Sequence, residues 1–397
     1  MTLPHGKVLL PTYMPVGTKG SLKGLTSSEL GSLGCRLFLG NTYHLHSSPG
    51  SDFLAARGGL HKFIGWPHNM LTDSGGFQMV SLSKFCEIDE QGVRFEHPQT
   101  GAPMFLRPED SVRAQIGIGA DIIMALDDVV SSKARGPRVR EATERTIRWL
   151  ARNQQALDSG HPSEAQPSYR QNLFPIVQGS IDPELRDICL DAMAGWDAAG
   201  FAIGGLSGGE AKTDFIKVVA QSCRRLPQNK PRYLMGVGFP VDLVICAIQG
   251  VDMFDCVYAT RTARFGSALT DKGVIRLTRA EFATDFGPID PECDCEACSG
   301  YTRAYLHFLV CKEEVACHLL TKHNIRYLLR LMERLRKSVA EGQVEEFVDK
   351  FLETHFAGRA WPQWVRDGLK LAEFKNWDGE VLEEKNKDNE EKEPQGE

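Results

Sequence analysis

The sequence has 397 residues, 42% hydrophobic and 25% charged, the balance of an ordinary globular chain, which excludes wholesale disorder. No apolar run approaches the roughly 18 residues of a membrane helix, and Pro11 and Pro15 interrupt the apolar stretch near the start, so neither a transmembrane segment nor a secretory signal is expected. The net charge of −6 resides in residues 378–397, with nine acids against three bases; they read as an acidic disordered tail on a body balanced at 43 against 43.

Predicted strands recur along the chain as short apolar runs that end in small or polar residues. They cover 13–18, 36–43, 70–75, 121–128, 173–179, 201–206, 233–238 and 253–257. Helix start signals stand between them at Pro108-Glu-Asp, Gly136-Pro, Asp182-Pro-Glu and Pro240-Val-Asp. Residues 140–157 and 215–226 have the i, i+3, i+4 spacing of half-buried helices. Eight strands alternating with helices over about 250 residues predict an α/β fold, a (β/α)8 TIM barrel. The rival is a doubly wound open sheet. Polar residues close nearly every strand (Asn41, Asp73, Asp127, Asp128, Gln178, Asp255), and only a barrel aims all those ends at one mouth.

Residues 80–107, with Asp89-Glu-Gln-Gly and Gln99-Thr-Gly turns, predict a β-hairpin inserted in the barrel, and residues 158–171, rich in Ser, Pro and Gln, a surface loop. The pattern changes after about residue 260. The expected division is therefore 1–260 as barrel and 261–360 as a zinc-binding subdomain with closing helices.

The 11 cysteines, an odd number without a secretory signal, read as reduced thiols. Cys293-x-Cys295-x2-Cys298 with His323 supplies three thiolates and an imidazole, the donor set of a closed structural zinc site. His307 and His318 compete with His323 by spacing alone. Three stretches are locally basic, 133–148 and 261–279 at +4 and 322–337 at +5, which suits solvated helix faces or a polyanion partner equally.

Leu71-Thr-Asp73-Ser-Gly-Gly-Phe-Gln78 sets a carboxylate beside two glycines, so that a flat ligand can approach the backbone with Phe77 available to stack. Asp127-Asp128 can bind a metal, read donor groups or cap a segment. Gly204-Gly-Leu-Ser-Gly-Gly209 has the look of a phosphate cradle, and Asp255 is followed by Thr260-Arg-Thr-Ala-Arg264, a setting for chemistry beside a phosphate backbone. Strand-end carboxylates without a histidine-based triad point to acid, base and nucleophile work on a glycosidic carbon. A barrel glycosidase and a non-catalytic RNA-binding scaffold are the competing readings.

Thr72-Asp-Ser-Gly-Gly-Phe-Gln, Gly204-Gly-Leu-Ser-Gly-Gly-Glu210, Phe254-Asp-Cys-Val, Thr260-Arg-Thr-Ala-Arg and the Cys-x-Cys-x2-Cys…His module together resemble the tRNA-guanine transglycosylases, most closely their eukaryotic, queuine-using branch. The resemblance runs from Leu3 to about residue 370. It implies exchange of guanine at the anticodon wobble position of tRNA for free queuine, through one cleaved and remade N-glycosidic bond. Carried over, Asp255 is the nucleophile and Asp73 the general acid/base. Ser74, Gly75, Gly76, Phe77, Asp127, Gln178, Gly205, Leu206, Gly208 and Met235 line the base pocket; Thr260, Arg261, Thr262, Ala263 and Arg264 meet the anticodon loop. Cys293, Cys295, Cys298 and His323 hold one structural Zn2+.

Gly208 and Val129 stand where bacterial relatives, which take a smaller base, carry a bulkier branched residue and a cysteine. Ser180 and Ala259 depart from the glycine and proline usual in the family. Relatives carry a segment before Leu-Pro-His-Gly, whereas this sequence starts at Met1-Thr-Leu. The resemblance further implies a heterodimer with a homologous non-catalytic accessory subunit, in the cytoplasm, with the mitochondrial outer surface as a second location.

Overall fold

The eight apolar runs form the parallel strands of a closed barrel in the computed structural model, which describes residues 1–77, 86–97, 101–160 and 170–374. They are β1 (Thr12–Pro15), β2 (Leu37–Gly40), β3 (Asn69–Thr72), β4 (Ile122–Met124), β5 (Asn172–Phe174 with Ile176–Val177), β6 (Phe201–Ile203), β7 (Arg232–Leu234) and β8 (Met253–Cys256). Strand β8 returns to β1, with Met253 opposite Thr12 and Asp255 opposite Met14, and a parallel bridge between Val16 and Leu39 joins β1 to β2. That closure, which removes sheet edges, separates the fold from a doubly wound sheet. The fifth run breaks at Pro175, whose missing N–H cannot join the ladder. Its carbonyl still accepts from the Ala202 N–H at 2.8 Å, so β5 stays stitched to β6.

The strand alternation sorts the side chains. Met14, Leu37, Leu39, Leu71, Ile122, Met124, Phe174, Ile176, Ala202, Tyr233 and Met253 fill the barrel interior. The residues between them, such as Phe38, Met70, Ile123, Phe254 and Leu234, pack outward with the helices. Proline stands at the start of the helices Pro108–Ile118, Pro137–Ser159, Pro183–Ala194 and Pro240–Ile248, as the start signals predict, and the Asp182 carboxylate accepts from the N–H groups of Glu184 and Leu185. A short hairpin, Thr2–Leu3 with Gly6–Lys7, closes the N-terminal end of the barrel, adding Leu3 and Val8 to the interior core.

The insertion differs from the expected hairpin. It is a three-stranded antiparallel sheet, Cys86–Ile88, Val93–Glu96 and Pro103–Leu106, and residues 80–85 and 98–100 lie outside the described ones. Gly92 admits the third strand: a Cβ there would stand 2.4 Å from the Leu106 carbonyl oxygen. Val93, Phe95 and Leu106 pack on Tyr43, Leu126 and Trp149, which fastens the sheet beside the C-terminal ends of the strands. Residues 161–169 of the anticipated loop and the acidic tail also lie outside the described residues.

After β8 the chain forms the helix Tyr258–Arg264, the antiparallel pair Ser267–Thr270 and Gly273–Arg276, and the long helix Glu314–Ala340. Ala263, Ala268, Leu277, Cys293, Cys295, Cys298, Leu306, Leu319 and Leu320 make a second core around the cysteines. Asn324 ties this module to the barrel. Its amide accepts from the Leu269 N–H at 2.8 Å and donates to the carbonyls of Ala259 and Ser267 at 3.0 Å each.

Candidate functional site at the C-terminal mouth of the barrel

Continuing the inward phase of each strand by two residues brings Asp73 beyond Leu71, Gln178 beyond Ile176, Gly204 beyond Ala202, Met235 beyond Tyr233 and Asp255 beyond Met253 to the same mouth. Asp73 is buried and fully engaged: it accepts from Asn41 Nδ2 at 2.5 Å, from the Thr42 N–H at 2.9 Å and from the Gly75 N–H at 3.2 Å. Asp255 Oδ1 accepts from the Tyr233 hydroxyl at 2.6 Å and from the Gly236 N–H at 2.8 Å. Burial raises the Asp255 carboxyl above the ordinary range, and these two donors oppose the rise. The Tyr233 hydroxyl is itself pushed far up, by burial first and then by the charges of Asp255, to which it donates, and Asp73.

Asp127 forms the third corner. Its carboxylate accepts from Gln178 Nε2 at 2.6 Å and from Ser74 Oγ at 3.2 Å. Desolvation pushes it up to about 6 even so. Gln178 Oε1 is buried without a partner among the described residues and lies 2.3 Å from where a Cβ on Gly205 would stand. Gly205, at φ +70°, is therefore the residue that lets β6 close on the amide. Behind this turn, fully buried Arg186 donates to the carbonyls of Val177, Ser180 and Gly204 at 3.1, 2.8 and 2.6 Å, locking the ends of β5 and β6 together.

Other expected residues fall in distinct places. Phe77 is 62% exposed at the rim, while Met235 is half-buried beside Gly204. Leu206 is half-buried, and Gly208 is exposed with Ser132 as its neighbour: a Cβ on Gly208 would meet Ser132 Oγ at 2.6 Å. The glycine-rich turn is not an open phosphate cradle, because the Glu210 carboxylate takes the N–H groups of Ser207 and Gly208 at 2.6 and 2.9 Å. Asp128 is fully buried and ion-paired to Arg138 and Arg145 at 2.5 Å each, a structural placement. Ser180, expected from the resemblance to depart from glycine, has φ +52° and donates to the Ser132 carbonyl at 2.8 Å.

The basic stretches divide by what their charges do. In 133–148, Arg138, Arg140, Arg145 and Arg148 all have carboxylate partners, and in 322–337 Lys322, Arg326, Arg330 and Arg334 do. In 261–279 only Arg279 has a carboxylate partner among the described residues. Arg261 is exposed on the helix directly after Asp255, and Arg264 donates to the Thr260 carbonyl one turn back. On the same helix, Thr260 Oγ and Thr262 Oγ donate to the Val257 and Tyr258 carbonyls, while Ala263 is buried toward the cysteine module. A cationic face thus flanks the mouth.

Cys293, Cys295, Cys298 and His323 are all buried, with their ligand atoms within 4.8 Å of one another, an arrangement that could hold a metal ion. His323 Nε2 donates to the Leu269 carbonyl at 2.8 Å, which turns Nδ1 toward the Cys298 and Cys295 sulfurs at 3.2 and 3.6 Å, so that the neutral ring would offer its lone pair to an ion held there. The two rival histidines are elsewhere: His307 Nδ1 bonds the Leu277 carbonyl, and His318 lies against Gly24 and Glu29.

The family model for queuine tRNA-ribosyltransferase matches residues 1–357, most of the chain and every element of this site. The chain belongs to the queuine tRNA-ribosyltransferase family. Curated relatives agree along nearly their whole length. The chain is 48% identical over 388 residues to the queuine tRNA-ribosyltransferase catalytic subunit of Caenorhabditis elegans, covering 94% of this chain and 95% of that one. The catalytic subunit of Caenorhabditis briggsae is 47% identical over 382 residues (92% and 93%), and that of Schizosaccharomyces pombe 48% over 378 (93% and 92%). Membership makes this chain a tRNA-guanine transglycosylase, a transferase acting on tRNA. No helix among the described residues is long and apolar enough to cross a membrane.

The sequence missed Tyr233, Asn41 as a partner of Asp73, and Arg186. Arg186 carries a readable signal. It sits between Leu185 and Cys189 on the apolar face of its helix, where a cation must find buried acceptors.

Proposed function

We propose that this transglycosylase exchanges guanine at the wobble position of GUN anticodons for queuine by double displacement. The observation that carries the proposal is the constellation of three carboxylates raised or held by burial and donors, Asp73, Asp127 and Asp255, at the ends of β3, β4 and β8 of one barrel mouth. Asp255, with Oδ1 held by Tyr233 and Gly236, offers Oδ2 to ribose C1′. The C1′–N9 bond breaks as the C1′–O bond forms, and Asp73 gives its proton to the departing guanine. The incoming base then loses a proton to Asp73 and displaces Asp255, so two inversions return the original configuration.

Asp127 accepts from the donor edge of the base, with Gln178, Ser74 and the backbone from Gly75 to Gly76 and at Gly205 and Leu206 completing the cradle. Phe77 and Met235 sandwich the ring. Gly208 makes room for the substituent of queuine. Thr260, Arg261, Thr262, Ala263 and Arg264 present the anticodon-loop contact, where an unpaired base flips into the pocket without opening a duplex. The cysteine cluster holds a structural Zn2+, because four satisfied protein ligands leave no open position. Residues 1–260 and 261–360 act as catalytic barrel and RNA-facing zinc module. The working form is a cytoplasmic heterodimer with the homologous accessory subunit, with a peripheral place at the mitochondrial outer membrane.

Incubation of the chain and its accessory homologue with labelled guanine and unmodified tRNA tests the reading. Incorporation at the wobble position, chased out by queuine, is expected. A folded heterodimer that incorporates neither base would overturn it.

A further inference from the structure

Most large aromatic side chains at the surface have a ring face covered by a neighbour. Phe53 meets Phe63 edge-on beneath Arg57, Phe105 lies beneath Arg94, Phe308 beneath Lys312, and Phe239 against Tyr258 and Lys212. Phe265, which directly follows the helix Tyr258–Arg264, is 71% exposed and has no ring or cation contact among the described residues. Phe286 is as bare, but Arg303, which lies against the neighbouring Gly287, is spent on Asp285.

The backbone beneath this ring is pinned on both sides. The Phe265 N–H donates to the Thr262 carbonyl at 3.0 Å. Gly266 follows at φ +73°, its N–H donating to the Ala263 carbonyl at 3.0 Å and its carbonyl accepting from the Leu277 N–H at 2.8 Å. A Cβ on Gly266 would stand 3.0 Å from the Thr278 methyl and 3.3 Å from Val310, so glycine lets the turn close on the cysteine module. A ring held on so fixed a turn loses little freedom when a flat group stacks on it.

The charges around the ring specify its partner. Arg261 lies one helical turn before Phe265, on the same face, and Arg276 is exposed on the strand that pairs with Ser267, two residues after it. Neither has a carboxylate partner among the described residues. Burial raises the Cys256 thiol to about 11 and the charge of Arg261 opposes the rise, so this cation reaches the residue next to Asp255. Burial likewise raises the Tyr258 hydroxyl, and Arg276 opposes it from the other side. An open ring between two unspent guanidinium groups suits single-stranded nucleic acid, whose bases stack while its phosphates pair with the arginines. The helix rise sets Phe265 roughly 10 Å along the axis from Tyr258, the scale of the nucleotides next to one held at Asp255. We propose that Phe265 is the stacking platform for an unpaired anticodon-loop base adjacent to the exchanged one, with Arg261 and Arg276 on the flanking phosphates. This rests on the reading that the helix faces the anticodon loop.

Guanine incorporation by the heterodimer, measured against tRNA concentration, tests this together with filter binding of the same tRNA. Phe265→Ala and Phe265→Leu should both raise the KM and Kd for tRNA by roughly 5- to 150-fold, the usual worth of one base stacked on an aromatic ring. The kcat at saturating tRNA and the KM for guanine should stay unchanged, and Phe265→Trp should keep the wild-type values. A folded Phe265→Ala heterodimer with unaltered KM and Kd would overturn the proposal. So would a Phe265→Leu chain equal to the wild type, which would make the contact apolar rather than stacked. Loss of the heterodimer on gel filtration of Phe265→Ala would also overturn it, by placing a protein subunit on the ring. A wild type that binds tRNA without incorporating guanine would sink the exchange reading instead, and the Kd values would still decide the role of Phe265.

Discussion

Replacing Asp127 by Asn should make the protein more stable and less able to bind its base. A free Asp titrates near 4, whereas burial holds Asp127 up at about 6. Between those values the folded chain keeps a proton that the unfolded chain has lost, so this group makes stability fall as pH rises from about 4 to about 6 and leaves it level beyond. At pH 7 both states are ionised and the full cost applies, roughly 3 kcal/mol at 1.36 kcal/mol per pH unit. Asn carries no such cost. Its carbonyl keeps the Ser74 hydrogen bond, and its amide finds an acceptor in Gln178 Oε1, which is buried without a partner among the described residues, once the Gln178 amide flips.

With an unfolding entropy of roughly 0.8 kcal/mol/K for a chain of this length, Asp127→Asn should melt about 3 to 4 °C higher at pH 7 and show no gain at pH 4. In exchange assays the same variant should lose about 10- to 150-fold in kcat/KM for the base, the worth of a hydrogen bond to a charged group. Calorimetry of both proteins across pH 4 to 7.5 makes the comparison. A variant that melts lower at pH 7 than the wild type, with no difference at pH 4, would refute the reasoning.

Asp73→Asn should slow exchange by about 10²–10⁴-fold, the usual worth of a general acid/base, with loss of the corresponding limb of the pH profile; an unaltered profile would remove Asp73 from that role. Cys295→Ser should strip the metal from the cysteine cluster and lower the melting temperature, since binding energy at such a site is folding energy; elemental analysis showing zinc retained with unaltered melting would refute the assignment. Gly208→Val should reject queuine by roughly 5- to 150-fold while sparing guanine, because the added side chain presses into the space beside Ser132. Equal loss of both bases in the same assay would mean that the turn after β6 is merely disturbed.

All eight barrel strands were legible because each is a short apolar run ended by small or polar residues. The polar residues that close those runs also announced Asp73, Gln178 and Asp255 at one mouth. What the sequence hid is long-range pairing. Nothing local says that Tyr233, interior by phase, reaches the carboxylate of Asp255, or that Asn41 and Thr42 hold Asp73 across 32 and 31 positions. The phosphate look of the glycine-rich turn failed for the converse reason, since Glu210 sits two residues beyond Gly208 and supplies the anion itself. Net charge per stretch misled in the same way. Residues 322–337 are the most basic run, yet their cations are spent on Glu296, Asp294, Asp290 and Asp271, whereas the quieter 261–279 keeps Arg261 exposed.

The central claim is that Asp255 becomes covalently attached to the ribose. Incubation of the heterodimer with tRNA, followed by denaturing electrophoresis, reads that bond directly. The account predicts a band of protein joined to tRNA for the wild type, dissolved by added guanine, and no such band for a folded Asp255→Asn chain that still binds tRNA. An adduct formed equally by Asp255→Asn would contradict it.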